Sequence, residues 1–139
     1  LGRIFIEDPW LQATFDAPAN GMIVREKVYF EVGKWELVPE AKAILNKAVI
    51  MMKNNNKAGI DIYAHTDSRG DAKSNLELSD KRAQESKKYL MSQGIDAKRI
   101  SAKGFGETKL LNGCEDGVDC TEEEHAQNRR MEFKIKYAN

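Results

Sequence analysis

No apolar run in this 139-residue chain is long enough to span a bilayer as a helix. Nor does it open with the charged start and apolar centre of a secretory leader. The expectation is a soluble piece cut from something longer. Net charge is missing too: 22 Lys and Arg balance 22 Asp and Glu, so no overall field draws the chain to nucleic acid or to an anionic membrane. Recognition must be local. Histidine is scarce, with only His65 and His125, and there is no HExxH pair, no GxSxG elbow and no phosphate loop. His65 is expected to be a structural residue at the end of a strand. These gaps argue against a hydrolase or a metal-dependent enzyme, and no catalytic residue, cofactor or metal is expected.

Cysteine is nearly absent, and the two present bracket an acidic stretch, Glu115-Asp116-Gly117-Val118-Asp119, between Cys114 and Cys120. That spacing fits a small disulfide-closed loop. Two free thiols are the next alternative, and a metal site with His125 as third ligand is the last. A disulfide would imply an oxidising, extracytoplasmic setting.

What is present suffices for one domain, since 41% of the residues are hydrophobic and a core needs no more at this length. Residues 1–20 show no sustained helical period and read as a linker, an edge strand or the end of a preceding domain; 21–139 read as the domain itself. Met22-Ile23-Val24, then Val28, Phe30 and Val32 alternating with Tyr29 and Glu31, predict a first strand. Pro39-Glu40 supplies a helix start, followed by Ala41, Ile44, Leu45, Ala48, Val49 and Met52 at helical spacing until Asn54-Asn55-Asn56. Ile60, Ile62 and Ala64 alternate with Asp61, Tyr63 and His65 in a second strand. A helix from about Ser74 to Gln93 turns Leu76, Ala83, Ser86, Tyr89 and Leu90 inward, and Gly94 ends it. Ile100 to Phe105 predicts a third strand, Thr121-Glu122-Glu123-Glu124 a capped helical turn, and Met131, Phe133, Ile135 and Tyr137 a last strand. The order β-α-β-α-β-(short α)-β argues for an α/β two-layer sandwich, helices packed on one face of a mixed four-stranded sheet with right-handed crossovers.

The richest stretch for chemistry is His65-Thr66-Asp67-Ser68-Arg69-Gly70-Asp71, a strand-to-helix turn with Arg82 further along the following helix. An exposed Asp67 would accept from an ammonium, and Arg82 would hold a carboxylate through two parallel bonds. Together they would grip a zwitterion. The plain alternative is that the two pair with each other across the turn. Asp67 and Asp71 lack the ligand pattern of a calcium loop, Arg69-Gly70-Asp71 as an adhesion tripeptide is a chance-prone signal, and Asn128-Arg129-Arg130 reads by itself as a solvated basic patch.

Taken in order, these residues resemble the OmpA-like C-terminal domain, found also in the peptidoglycan-associated lipoprotein and in flagellar stator proteins. The resemblance runs from about Val28 to Tyr137. It rests on Tyr29-Phe30-Glu31-Val32 with Pro39-Glu40-Ala41, His65-Thr66-Asp67 with Gly70, Asn75, and Leu78-Ser79 with Arg82-Ala83. It continues through Tyr89-Leu90 with Gly94-Ile95, Arg99-Ile100-Ser101-Ala102 with Gly104-Phe105-Gly106-Glu107, and Asn128-Arg129-Arg130-Met131-Glu132-Phe133.

The resemblance implies a non-enzymatic domain that binds the peptide stem of peptidoglycan, Asp67 taking the ammonium of diaminopimelate and Arg82 its carboxylate. It places Asn75 and Arg129 in the same groove, lets Thr66 offer its backbone or hydroxyl, sets Leu78 beneath and gives Asn128 the final turn to order. It also implies a periplasmic location, with a tether to the outer membrane through an absent upstream portion. The Cys114 to Cys120 loop resembles an insertion of some members and is expected to lie far from the grip. Gly33-Lys34 and Arg69 depart from the family pattern. They keep open a protein-interaction or self-association module that retains the fold without the ligand, including a homo-oligomer.

Overall fold

A computed structural model describes residues 9–15 and 21–137. Its elements are α1 (Pro9–Phe15), β1 (Ile23–Glu26), α2 (Pro39–Asn54), β2 (Ala58–His65), α3 (Ala72–Ser92), a 3-10 turn (Ala97–Arg99), β3 (Ile100–Gly106), α4 (Glu122–Ala126) and β4 (Arg130–Tyr137). The strands form one mixed sheet in the order β1-β4-β2-β3. β4 is antiparallel to both β1 and β2, while β2 and β3, joined through α3, are parallel. The expected two-layer α/β architecture is present.

Period-two patterning sets the buried face. Ile60, Ile62 and Ala64 of β2, Phe133 and Ile135 of β4, and Ile100 of β3 are all buried. Against them α2 lays Ala41, Leu45, Ala48, Val49, Met51 and Met52, and α3 lays Ala83 and Leu90. Pro39 opens α2 where a missing N–H costs nothing. Tyr137, expected on the same face of β4, has a side chain outside the described residues.

Three expectations change. The first strand ends at Glu26 because its partner runs out: Glu26 stands opposite Met131, one residue from the start of β4, so 28–32 have no ladder to join. Val28 and Phe30 instead pack on the core from an irregular strap, leaving Tyr29 and Val32 exposed. Of the stretch expected as a linker, residues 1–8 and 16–20 lie outside the described residues, but 9–15 form α1. Its Trp10 is buried and meets the ring of Phe133 edge-on at 5.2 Å. Asn54 and Asn55, which end α2, donate to the carbonyls of Thr14 and Ala13. Leu76, expected inward, is exposed: α3 approaches β3 with backbone at that turn, since a Cβ on Gly106 would stand 2.9 Å from the Leu76 nitrogen.

That close approach also solves an edge problem. β3 is one of the two edge strands, and its outward polar groups need partners. α3 supplies them: Gly106 N–H donates to Ser79 Oγ at 2.9 Å, Gly104 N–H to Asp80 Oδ1 at 3.2 Å, and Gln84 Nε2 to the Ala102 carbonyl at 2.9 Å. Only glycine fits at 104, where a Cβ would lie 2.1 Å from the Asp80 nitrogen and 2.4 Å from the Ser79 carbonyl carbon. Gly104→Ala is therefore expected to push α3 off the sheet and destabilise the fold by about 2 kcal/mol or more, read as a lowered midpoint in urea denaturation.

Candidate functional site

β2 delivers its last residues to the end of the sheet, and Gly70, at φ +86°, lets the chain reverse into α3. Asp71 caps that helix, accepting from Ser74 N–H at 2.9 Å. Capping is thus the structural role of Asp71 in this turn. Asn75, Leu78 and Arg82 then follow at spacings of three and four and share one stripe of α3. The strap, the β2–α3 turn, this stripe, α4 and the start of β4 enclose a cleft of about 520 Å³. All five residues expected at a binding groove, Thr66, Asp67, Asn75, Arg82 and Arg129, line it, with Leu78 among them.

Asp67 is buried, not exposed as its sequence position led us to expect. Oδ1 accepts from the Arg69 backbone N–H at 2.9 Å, and Oδ2 from Arg69 Nη2 at 2.8 Å and Arg129 Nη1 at 2.7 Å. Glu122 closes a ring of alternating charge, taking Arg69 Nη1 at 2.8 Å and Arg129 Nη2 at 2.5 Å. Burial pushes the Asp67 carboxyl up, but the hydrogen bonds from Arg69 and Arg129 outweigh it and hold its pKa at about 2. Sequence reading missed Glu122, since the run of glutamates after Thr121 signals only the capping box that starts α4.

Arg82 does not pair with Asp67. Its Nε donates to the Lys34 carbonyl at 2.9 Å and its Nη2 to the Glu31 carbonyl at 3.3 Å, and the guanidinium lies 4.7 Å from the centre of the Phe30 ring. Among the described residues it meets no carboxylate, and burial alone lowers its pKa. The departure at Gly33-Lys34 thus supplies a carbonyl to Arg82, with Gly33 at φ +70° shaping the strap. Asn75 donates through Nδ2 to the Arg69 carbonyl at 2.9 Å. Thr66 spends its N–H on the Gly106 carbonyl and its hydroxyl on the Asp67 carbonyl.

Cys114 and Cys120 form a disulfide, so the three-group cluster they make with Glu124 holds no thiolate for a metal. The loop is not far from the cleft. Ser68 Oγ donates to the Cys114 carbonyl at 2.6 Å, and Glu122 follows Cys120 by two residues. Asn128 is fully buried and orders the same loop, accepting from Leu111 N–H at 2.7 Å and donating to Asn112 Oδ1 at 2.9 Å. Arg130 is also buried, bonded to Glu132 and to the carbonyls of Asn128 and Lys109. Asn128-Arg129-Arg130 is therefore no solvated patch; each member is tied into structure.

His65 is buried at the cleft floor, its ring stacked on Phe105 with centroids 5.5 Å apart. Neither ring nitrogen has a hydrogen-bond partner among the described residues. Burial, then the nearby Arg130 charge, lowers its pKa to about 4. At neutral pH it is an uncharged packing group.

The model of the OmpA family matches residues 29–127. The chain is 35% identical over 117 residues to a photosystem I chlorophyll a apoprotein A2 of Gloeobacter violaceus, covering 83% of this chain and 13% of that protein. It is 33% identical over 123 residues to outer membrane protein A of Escherichia fergusonii, covering 81% and 49%. The chain thus spans less than half the length of these relatives. Among solved structures it is similar to the peptidoglycan-associated lipoprotein from Burkholderia pseudomallei, with a TM-score of 0.67, 27% identity, and coverage of 78% of this chain and 88% of that one.

Because the folded pKa of His65 lies below its unfolded value of 6.5, the unfolded chain binds the extra proton first. Stability from this residue is complete above pH 6.5 and is lost as pH falls towards 4, by roughly 2–3 kcal/mol. His65→Phe, which keeps a flat ring against Phe105, is expected to flatten the urea-denaturation free energy between pH 6.5 and 4. The further loss between about pH 4 and 2, where Asp67 protonates, is expected to remain.

Proposed function

The chain belongs to the OmpA family, and from that premise we propose that it binds peptidoglycan non-covalently through the diaminopimelate of the stem peptide. In this reading it is an anchor and not an enzyme, and it holds the outer membrane to the wall from the periplasmic side. The names of two relatives, outer membrane protein A and a peptidoglycan-associated lipoprotein, support the wall and the membrane. The single observation that carries the ligand is Arg82. A half-buried guanidinium that bonds only to carbonyls and meets no carboxylate among the described residues is poised to take an anion. It sits in the same cleft as a buried, ionised Asp67.

A ligand end that carries an ammonium and a carboxylate on one carbon matches both charges in sign and position. Arg82 takes the carboxylate with charge-assisted hydrogen bonds, Asp67 draws the ammonium, and Arg129 and Asn75 border the space between. A small polar ligand buries little apolar area, so each site is weak by itself. Many copies on one membrane facing one polymer raise the effective concentration and make the attachment firm. The exposed Tyr29 and Val32 beside the cleft favour the second reading, a surface for a protein partner.

Co-sedimentation with purified sacculi separates these. The unmodified protein is expected to pellet with a diaminopimelate-containing wall. Arg82→Ala and Asp67→Asn, each confirmed as folded by circular dichroism, are expected to stay in solution. A wall with lysine in place of diaminopimelate, lacking that carboxylate, is expected to lose most of the binding. An unmodified protein that stays in solution with either wall contradicts the proposal and favours the protein partner.

A further inference from the structure

The ammonium contact proposed above falls on a carboxylate that is already occupied. Asp67 Oδ2 holds two guanidiniums, Arg69 Nη2 at 2.8 Å and Arg129 Nη1 at 2.7 Å, and its side chain is only 8% exposed. An ammonium arriving with both in place would meet two like charges across one acceptor group. The carboxylate accepts three hydrogen bonds and has room for about one more, but the like charges repel, so a guanidinium that moves aside eases the ammonium's entry.

The two arginines are not equivalent. Arg129, 39% exposed and also paired with Glu122, has its backbone fixed between the buried Asn128 and Arg130 at the start of β4. Arg69 lies on the turn itself, its side chain 50% exposed, and its other ion pair is with Glu122, whose side chain is 64% exposed. Arg69 can therefore rotate off Asp67 and remain paired with Glu122. The backbone N–H of Arg69 keeps its bond to Asp67 Oδ1 at 2.9 Å through that movement, so the carboxylate stays oriented.

We propose that the Arg69 guanidinium is an internal stand-in for the ligand's ammonium and is a specificity-determining residue, with Glu122 as the position it retreats to. This rests on the peptidoglycan reading above and deepens it. The free protein then has two arrangements, closed with Arg69 on Asp67 and open with Arg69 on Glu122 alone, and the open one takes the ammonium with less repulsion. Apparent affinity falls as the open fraction falls. A ligand that offers the carboxylate without the ammonium has no need to displace Arg69 and escapes that penalty. Arg69 thus narrows the preference for free diaminopimelate over analogues that lack its amine.

Titration calorimetry with two synthetic stem peptides tests this, one ending in diaminopimelate and one in 2-aminopimelate, which keeps the carboxylate and lacks the free ammonium. Arg69→Ala is expected to bind the first about five- to tenfold more tightly than the unmodified protein, and the second no more tightly. Glu122→Gln, a surface substitution that removes the retreat position, is expected to weaken the first peptide alone. If Arg69→Ala weakens both peptides or changes neither, while the unmodified protein binds and Arg82→Ala does not, Arg69 is a plain contact or a structural residue and the proposal falls. If neither peptide binds the unmodified protein or Arg69→Ala, the peptidoglycan reading itself falls, and this inference with it.

Discussion

The buried carboxylate of Asp67 is the point on which the functional end of the molecule turns. A charge taken that far out of water must be matched on every oxygen, and the chain meets the demand from two directions, Arg69 next door in the turn and Arg129 across the sheet end. Those guanidiniums need counter-charges of their own, which brings in Glu122 and so fixes where α4 begins. The disulfide and the buried Asn128 belong to the same construction, for they set the loop from which α4 emerges. The β2–α3 turn, the cysteine loop and the start of β4 are thereby bound into one rim.

The opposite side of the cleft is built on the contrary principle. Arg82 is half-buried, less withdrawn from water than Asp67, and is satisfied only by carbonyl dipoles and the face of Phe30. Dipoles and a ring quadrupole stabilise a cation less than a carboxylate does, so this end keeps an unspent affinity for anions. A chain with no net charge can thus hold a small zwitterion: separation of one neutralised and one unneutralised charge within one cleft supplies the recognition that the overall balance lacks.

Much of this was legible in the chain, and the boundary of legibility has physical causes. α2 and most of α3 announce themselves because each has one buried face and one wet face, with Ala41/Leu45/Ala48 carrying the period, and β2 because apolar Ile60/Ile62/Ala64 alternate with polar Asp61/Tyr63/His65, although Asp61 and His65 are buried as well. Val28, Phe30 and Val32 carry the same period without being strand, because alternation reports which side chains turn inward, not whether a neighbouring strand exists to pair with. Trp10, Ala13 and Thr14 are buried at i, i+3 and i+4 of α1, but two turns with one large apolar side chain are too short for that spacing to stand out in the sequence. Asp67 and Arg82 could be named from the turn and from the family resemblance, but not their surroundings. The partner Glu122 lies 53 residues from Arg69 along the chain, and nothing local marks such a pair. Leu76 faced out because glycines of β3 bring backbone, not side chains, into contact there.

A crystal structure of the domain with a diaminopimelate-bearing stem peptide bound decides whether the cleft holds a zwitterion between Arg82 and Asp67. The ligand's free end is expected in the 520 Å³ cleft, its carboxylate on Arg82 and its ammonium on Asp67, each about 2.7–3.2 Å from its partner atom. A peptide bound outside the cleft, or one in it whose carboxylate avoids Arg82, would contradict the account.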